Sequence, residues 1–202
     1  MLSISRLTSV FHSRPSRETM NWLDFAGLLS EPQRSPCTRK TCPRQSCPHK
    51  RGPCWSPATF PEYRQRVNEN VEAISLLVFD VDQLTDDQFD EIRSRLGAKQ
   101  YLVHSTHSDQ PDRRCLRFVF PLSRSVLPDA WSLFWRATQR SLVPKADPAS
   151  ADAGRIYFLP SCPHDASYFI QVNAGSPLDV DAVLASLGAP SSTCSTADGI
   201  AP

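Results

Sequence analysis

Ile74 to Asp82, ISLLVFDVD, is a nearly continuous apolar run of strand length ending in carboxylates. That is the pattern of a central strand covered on both faces. Thr85 follows as an N-cap, with Asp86, Asp87 and Gln88 in a first turn. Phe89, Ile92 and Leu96 then fall on one helical face, and Gly97 stops the helix. YLVHSTHS (Tyr101–Ser108) reads as the next strand, SDQPDRR as a turn, and CLRFVFPL (Cys115–Leu122) as its hairpin partner. Pro128 opens an amphipathic helix over 128–142 that carries Trp131, Phe134 and Trp135. RIYFLP (Arg155–Pro160) and SYFIQVN (Ser167–Asn173) read as short strands, and Asp179 or Asp181 starts a last helix through Leu187. Strands alternating with helices around a central hairpin give an α/β (α+β) sheet domain without internal repeats.

Before residue 74 the pattern is weaker. Residues 21–30 fit a short helix packing Trp22, Phe25 and Leu29, and a helix is expected around Tyr63–Asn70. Between these lies a stretch rich in Pro, Cys and Arg that reads as loop. The first 19 residues, rich in Ser and Arg with one acid, superficially resemble an organellar transit peptide. A signal-peptide apolar region is absent from them. The expected organisation is a mobile leader over 1–19, a basic Pro/Cys-rich segment over 20–57, a compact domain over 58–188 and a flexible tail over 189–202. No run approaches the roughly 18 apolar residues of a membrane span, and a cytoplasmic protein is the expectation.

The formal charge of +1 over 202 residues hides an asymmetry. Residues 1–60 hold nine Lys or Arg against three acids, an excess of six that could follow a phosphate backbone or be simply solvated. Seven cysteines are an odd number. Cys37, Cys42, Cys47 and Cys54 cluster with His49 in CTRKTCPRQSCPHKRGPC, so a structural zinc site competes with free thiols in a loop.

Asp80 and Asp82, two apart, leave one face of a strand. Paired carboxylates there repel each other unless a cation compensates. Magnesium or manganese would supply that charge. The plainer alternative is that one Asp caps the following helix and the other is solvated. His107 ends the second strand among Ser and Thr, where an imidazole can meet a triphosphate or a metal. His104, three positions earlier, points to the opposite face if the strand is regular. Arg117 lies inside an apolar strand and needs a carboxylate or phosphate partner. Arg113 and Arg114 fit solvation or backbone phosphates. In KADPASADAGRIYFLP, Asp147 and Asp152 compete as a third carboxylate, and Arg155 or Lys145 could meet phosphate.

The ordered series FDVD, HSTHS, RFVFPLSR and ADPASADAGRIYFLP resembles the primase-polymerase domains of phage, plasmid and integrated-element replication proteins, in the archaeo-eukaryotic primase superfamily. GPCWSPATF and RVNENVEAIS resemble the segment before its first motif, and the likeness covers about residues 50–172. The resemblance implies an RRM-like catalytic half beside a smaller N-terminal half. It implies metal ligation by Asp80, Asp82 and Asp147, with Asp152 the alternative, and nucleotide contact by His107, Arg117 and Arg155. The implied activity is a DNA primase or polymerase that uses Mg2+ or Mn2+ to join nucleoside triphosphates to a 3′-hydroxyl on a single-stranded DNA template. Many relatives continue into a helical priming domain and a helicase, so such a module is an expected partner. A nuclease using the same carboxylates and a non-catalytic nucleic-acid-binding module are the alternatives.

Overall fold

The computed structural model describes residues 1–188. In chain order it contains β1 (Leu2–Leu7), β2 (Ser16–Met20), α1 (Trp22–Ser30), β3 (Gln33–Ser35), β4 (Cys54–Ser56), β5 (Ala58–Thr59) and β6 (Ala73–Leu84). Then come α2 (Asp86–Leu96), β7 (Tyr101–Ser105), β8 (Arg114–Val126), α3 (Pro128–Leu142), β9 (Tyr157–Phe158), β10 (Ser161–Pro163), β11 (Ile170–Asn173) and α4 (Val180–Gly188). The larger sheet runs β11-β7-β8-β6-β5, and a second runs β2-β1-β4-β9. A parallel pair, β10-β3, joins the segment after α1 to the segment after β9.

Strand alternation divides the interior into two cores. Leu77, Phe79 and Val81 of β6, with Val103, Leu116, Phe118 and Phe120, face α2, α3 and α4. Leu76 and Val78, with Leu102 and Val119, face the other way, onto β1, α1, Trp55 and Tyr157. This is why β6 reads as unbroken hydrophobic sequence: both faces are covered. The expected Thr85 cap is present, and Thr85 and Gln88 close a full capping box. Gly97 ends α2 at φ 54°. The 128–142 helix is present with Pro128 in its first turn, burying Trp131, Phe134, Trp135 and Leu142.

The first 19 residues depart from the mobile leader that their composition predicts. β1 is an inner strand of the second sheet, paired with β2 on one side and β4 on the other. Leu2, Ile4 and Leu7 are buried, and Ser75 Oγ donates to the Ser3 carbonyl at 2.6 Å. The apolar positions are few and spaced among serines, and several of their core partners, Trp55, Leu76 and Tyr157, lie more than fifty residues on, so local pattern hides them. The helix expected at Tyr63–Asn70 is also corrected. Only a 3-10 turn at Asn68–Asn70 forms. Tyr63 sits at φ 63°, and the Arg66 N–H donates to the Ser13 carbonyl instead of up a helix. β7 stops at Ser105, and β9 and β11 are shorter than expected. The tail expected over 189–202, with Cys194, lies outside the described residues. No helix among the described residues is long and apolar enough to cross a membrane.

Substituting Ile4→Ala is expected to cost about 2–5 kcal/mol of unfolding free energy, as for other fully buried aliphatic side chains. Chemical denaturation followed by circular dichroism measures it. An unchanged midpoint would return β1 to the status of a loose leader.

Candidate active site

Where the second core ends, the same face of the large sheet turns polar. Along β6 the residues Leu76 and Val78 are followed by Asp80. On β8 Val119 is followed by Arg117, and on β7 Leu102 is followed by His104. Register places Arg117 directly between Asp80 and His104. The three side chains form one row across the middle of the sheet. They line a cleft of about 530 Å³, within the range that holds a small ligand.

Arg117 has found the carboxylate that its apolar strand demands. Its Nε donates to Asp80 Oδ1 at 2.6 Å and its Nη2 to Oδ2 at 3.1 Å, a two-pronged pair. Nη1 donates to the Phe158 carbonyl at 3.2 Å, and the guanidinium stacks 4.6 Å from the Tyr157 ring centre. Burial opposes the charge of Arg117, but Asp80 outweighs it and its pKa is raised.

His104 is 1% exposed, and its Nδ1 donates to the Ser105 carbonyl at 3.0 Å. Burial first, and the Arg117 charge second, push its pKa down to about 3. The ring is therefore neutral, with the proton on Nδ1. Nε2 is a buried acceptor with no partner among the described residues. Sequence reading set His104 aside in favour of His107. The usable signal was strand parity with Leu102, but it needs the β7–β8 register to become meaningful.

Asp82 follows on β6 and is exposed in the same cleft. Pairing with β8 shifts between Val81 and Leu84, and Gln83 takes φ 65° there. A bulge of this kind re-aims the side chains beside it. Asp147 also lines the cleft, whereas Asp152 does not. The Asp147 N–H donates to the Asp80 carbonyl at 2.7 Å, and its carboxylate accepts from the Ala149 N–H at 2.9 Å. Asp152 instead accepts from the Gly154 N–H at 3.2 Å. Arg155 lines the cleft too, its carbonyl held by Ser56 Oγ at 2.8 Å. Arg44, Lys50 and Arg113 complete a basic wall that sequence reading did not assemble. Arg114 is turned away and paired with Asp109 at 3.0 Å.

His107 borders this cleft with both ring nitrogens engaged. Nδ1 lies 2.9 Å from Ser161 Oγ, and Nε2 lies 3.3 Å from Cys42 Sγ. It joins Cys37, Cys42 and Cys47 in a group whose ligand atoms all lie within 4.8 Å of one another. Cys54 and His49, expected beside those thiols, are not in the group. Cys54 is fixed in β4, where it pairs with β1 and β9, and its Sγ donates to the Gly52 carbonyl at 3.3 Å. That strand carries it out of the loop.

The oxygen donors of Asp82 and Asp147 suit magnesium or manganese. Asp80 is committed to Arg117. Among the described residues, the Cys/His group is the only set of three or more metal-ligand atoms gathered this closely.

The VapE N-terminal domain family matches residues 59–190. Among solved structures, the chain is similar to the AEP domain of the cyanophage S-2L primase-polymerase. The two are 9% identical, with a TM-score of 0.53 over 91% of this chain and 88% of that one. At that identity the likeness shows the fold, an α/β AEP-type domain. No curated protein matches the chain.

Replacing Arg117 by Met is expected to destabilise the fold by about 2–4 kcal/mol, because Asp80 is left largely desolvated without its partner. Adding Asp80→Asn should recover part of that loss. Denaturation of the single and double variants checks it, and strictly additive losses would refute the coupling. His104 makes a second expectation, with Arg117, Asp80 and Tyr168 as its charged or titratable neighbours. Its pKa is about 3 folded against 6.5 for a free imidazole. The unfolded state thus binds the extra proton between those values. The contribution is complete above the unfolded value and declines as pH falls towards 3, by up to about 1.4 kcal/mol per pH unit. A His104→Gln variant is expected to flatten that acid limb by about one proton; an unchanged slope would exclude a neutral buried His104.

Proposed function

Because the chain belongs to the VapE N-terminal domain family, we propose that its cleft is a nucleotidyl-transfer site that joins nucleoside triphosphates to a 3′-hydroxyl on a single-stranded DNA template. The observation that carries this reading is the convergence of Asp80, Asp82 and Asp147 with Arg44, Lys50, Arg113, Arg117 and Arg155 in one cleft. Acids for cations beside bases for phosphates are the electrostatic demand of attack on a triphosphate.

In this reading residues 58–188 supply the catalytic side chains and residues 20–57 add Arg44 and Lys50 to the basic wall. Asp82 and Asp147 would hold Mg2+ or Mn2+, with Asp80, oriented by Arg117, as the third carboxylate. The cation would activate the attacking 3′-hydroxyl and offset charge on the departing pyrophosphate. Arg155, Arg44 and Lys50 offer positive charge to the phosphates, and Arg113 suits the template backbone. His104 presents a lone pair rather than a proton, which suits a sugar hydroxyl or an ordered water better than a phosphate oxygen. With both ring nitrogens of His107 engaged, its expected phosphate contact passes to the arginines. A helicase or a separate priming module remains the proposed partner.

A second reading, a nucleic-acid-binding module without chemistry, is favoured by the commitment of Asp80 to Arg117. Incorporation of labelled dNTPs and NTPs on primed and unprimed single-stranded DNA, with magnesium or manganese, separates them. Wild type is expected to yield product with release of pyrophosphate, and Asp82→Asn or Asp147→Asn to reduce it by about 100-fold or more. Product on unprimed template indicates a primase, and product on primed template alone a polymerase. Folded wild type that binds DNA but incorporates nothing, whatever the metal, supports the second reading and sinks the first.

A further inference from the structure

We propose that Cys37, Cys42, Cys47 and His107 form a tetrahedral zinc site that fastens the basic loop of residues 37–50 to the large sheet beside the cleft. The ligands come from two distant parts of the chain. Three thiols lie within eleven residues of loop, and the imidazole follows β7, sixty residues later.

Distances support a metal rather than a chance gathering of thiols. Zinc bonds of about 2.3 Å to sulfur and 2.0–2.1 Å to nitrogen, set at tetrahedral angles, place two sulfurs about 3.8 Å apart and a sulfur and nitrogen about 3.5 Å apart. Cys37 and Cys47 Sγ are 3.9 Å apart, and Cys42 Sγ is 3.3 Å from His107 Nε2. All four ligand atoms lie within 4.8 Å of one another.

The surroundings match what such a centre needs. Ser161 Oγ, 2.9 Å from His107 Nδ1, can take the proton of that nitrogen and leave the Nε2 lone pair facing the thiols. The Arg44 N–H donates to Cys42 Sγ at 3.4 Å, and Ser35 Oγ lies 3.0 Å from Cys37 Sγ, so two of the three sulfurs have hydrogen-bonding support. Cys42, Cys47 and His107 are buried, yet the loop that carries the thiols has little apolar surface of its own to hold it down. Metal binding supplies that anchorage. One consequence is local: Arg44 and Lys50, on the tethered loop, are held in the wall of the cleft.

Zinc content and cobalt spectroscopy test the site without reference to nucleotide chemistry. Full-length protein purified with reduced thiols is expected to carry one zinc per chain by mass spectrometry of the metal. Demetallated wild type titrated with Co2+ is expected to show the thiolate charge-transfer and tetrahedral d–d bands, which do not depend on any variant folding. Cys42→Ser and His107→Ala should lose the metal. Cys54→Ser, which keeps a donor for the Gly52 carbonyl, should retain it. Trypsin should cut at Arg39, Lys40, Arg44, Lys50 or Arg51 at least 10-fold faster after chelation. Absence of both zinc and cobalt–thiolate bands overturns the proposal, as does a Cys37–Cys47 disulfide in their place. Loss of metal in Cys54→Ser with retention in His107→Ala overturns it in favour of a four-cysteine set. Failure of nucleotide incorporation would leave these readouts untouched.

Discussion

A largely buried arginine on the central strand is the constraint around which this domain is arranged. Arg117 is 11% exposed and Asp80 19%, and neither side chain would be stable there alone. Their bond is two-pronged, and it is supported by the Phe158 carbonyl and the Tyr157 ring. It therefore links the large sheet to β9 of the second sheet. It also fixes register: moving β8 by one residue against β6 would turn Arg117 into the core beneath α2 and α3. The polar row of His104, Arg117 and Asp80 exists because the strands cannot slide.

The boundary between core and cleft follows from the same face. Leu76, Val78, Leu102 and Val119 pack against β1 and α1, and two residues further along each strand the packing gives way to charge. The N-terminal hairpin is therefore structural support for the site. By covering the apolar half of that face it leaves only the ionisable half open. The bulge at Gln83 and the backbone bond from Asp147 to the Asp80 carbonyl then bring two further carboxylates to the edge of the row.

What the sequence disclosed follows the range of its interactions. β6, α2 and α3 were legible because period and caps are local, and Arg117 announced a buried ionic partner because its neighbours are all apolar. Asp80 and Asp82 were visible by their spacing on a strand. The β1–β2 hairpin was not, since its stability comes from contacts with Trp55, Leu76 and Tyr157. The thiols illustrate both sides. Their closeness in sequence marked Cys37, Cys42 and Cys47, but the fourth partner was taken to be the next cysteine. Chain proximity favoured Cys54; sheet geometry delivered His107 from the turn just after β7, and no local pattern carries that information.

This geometry bears on how the cleft would meet a polyanion. Arg117 is compensated by Asp80, so its charge is largely spent within the protein. Arg44 and Lys50 sit on the loop, and Arg155 precedes β9. The net positive field available to phosphates thus comes mainly from segments outside the long strands, while β6 supplies Asp80 and Asp82 and the turn after α3 supplies Asp147. The sheet fixes Asp80 and Asp82 and, through the backbone bond to the Asp80 carbonyl, Asp147, while surrounding segments bring most of the bases. The precision of the basic half then depends on whatever holds residues 37–50, where the apolar surface needed to do so by packing alone is scarce.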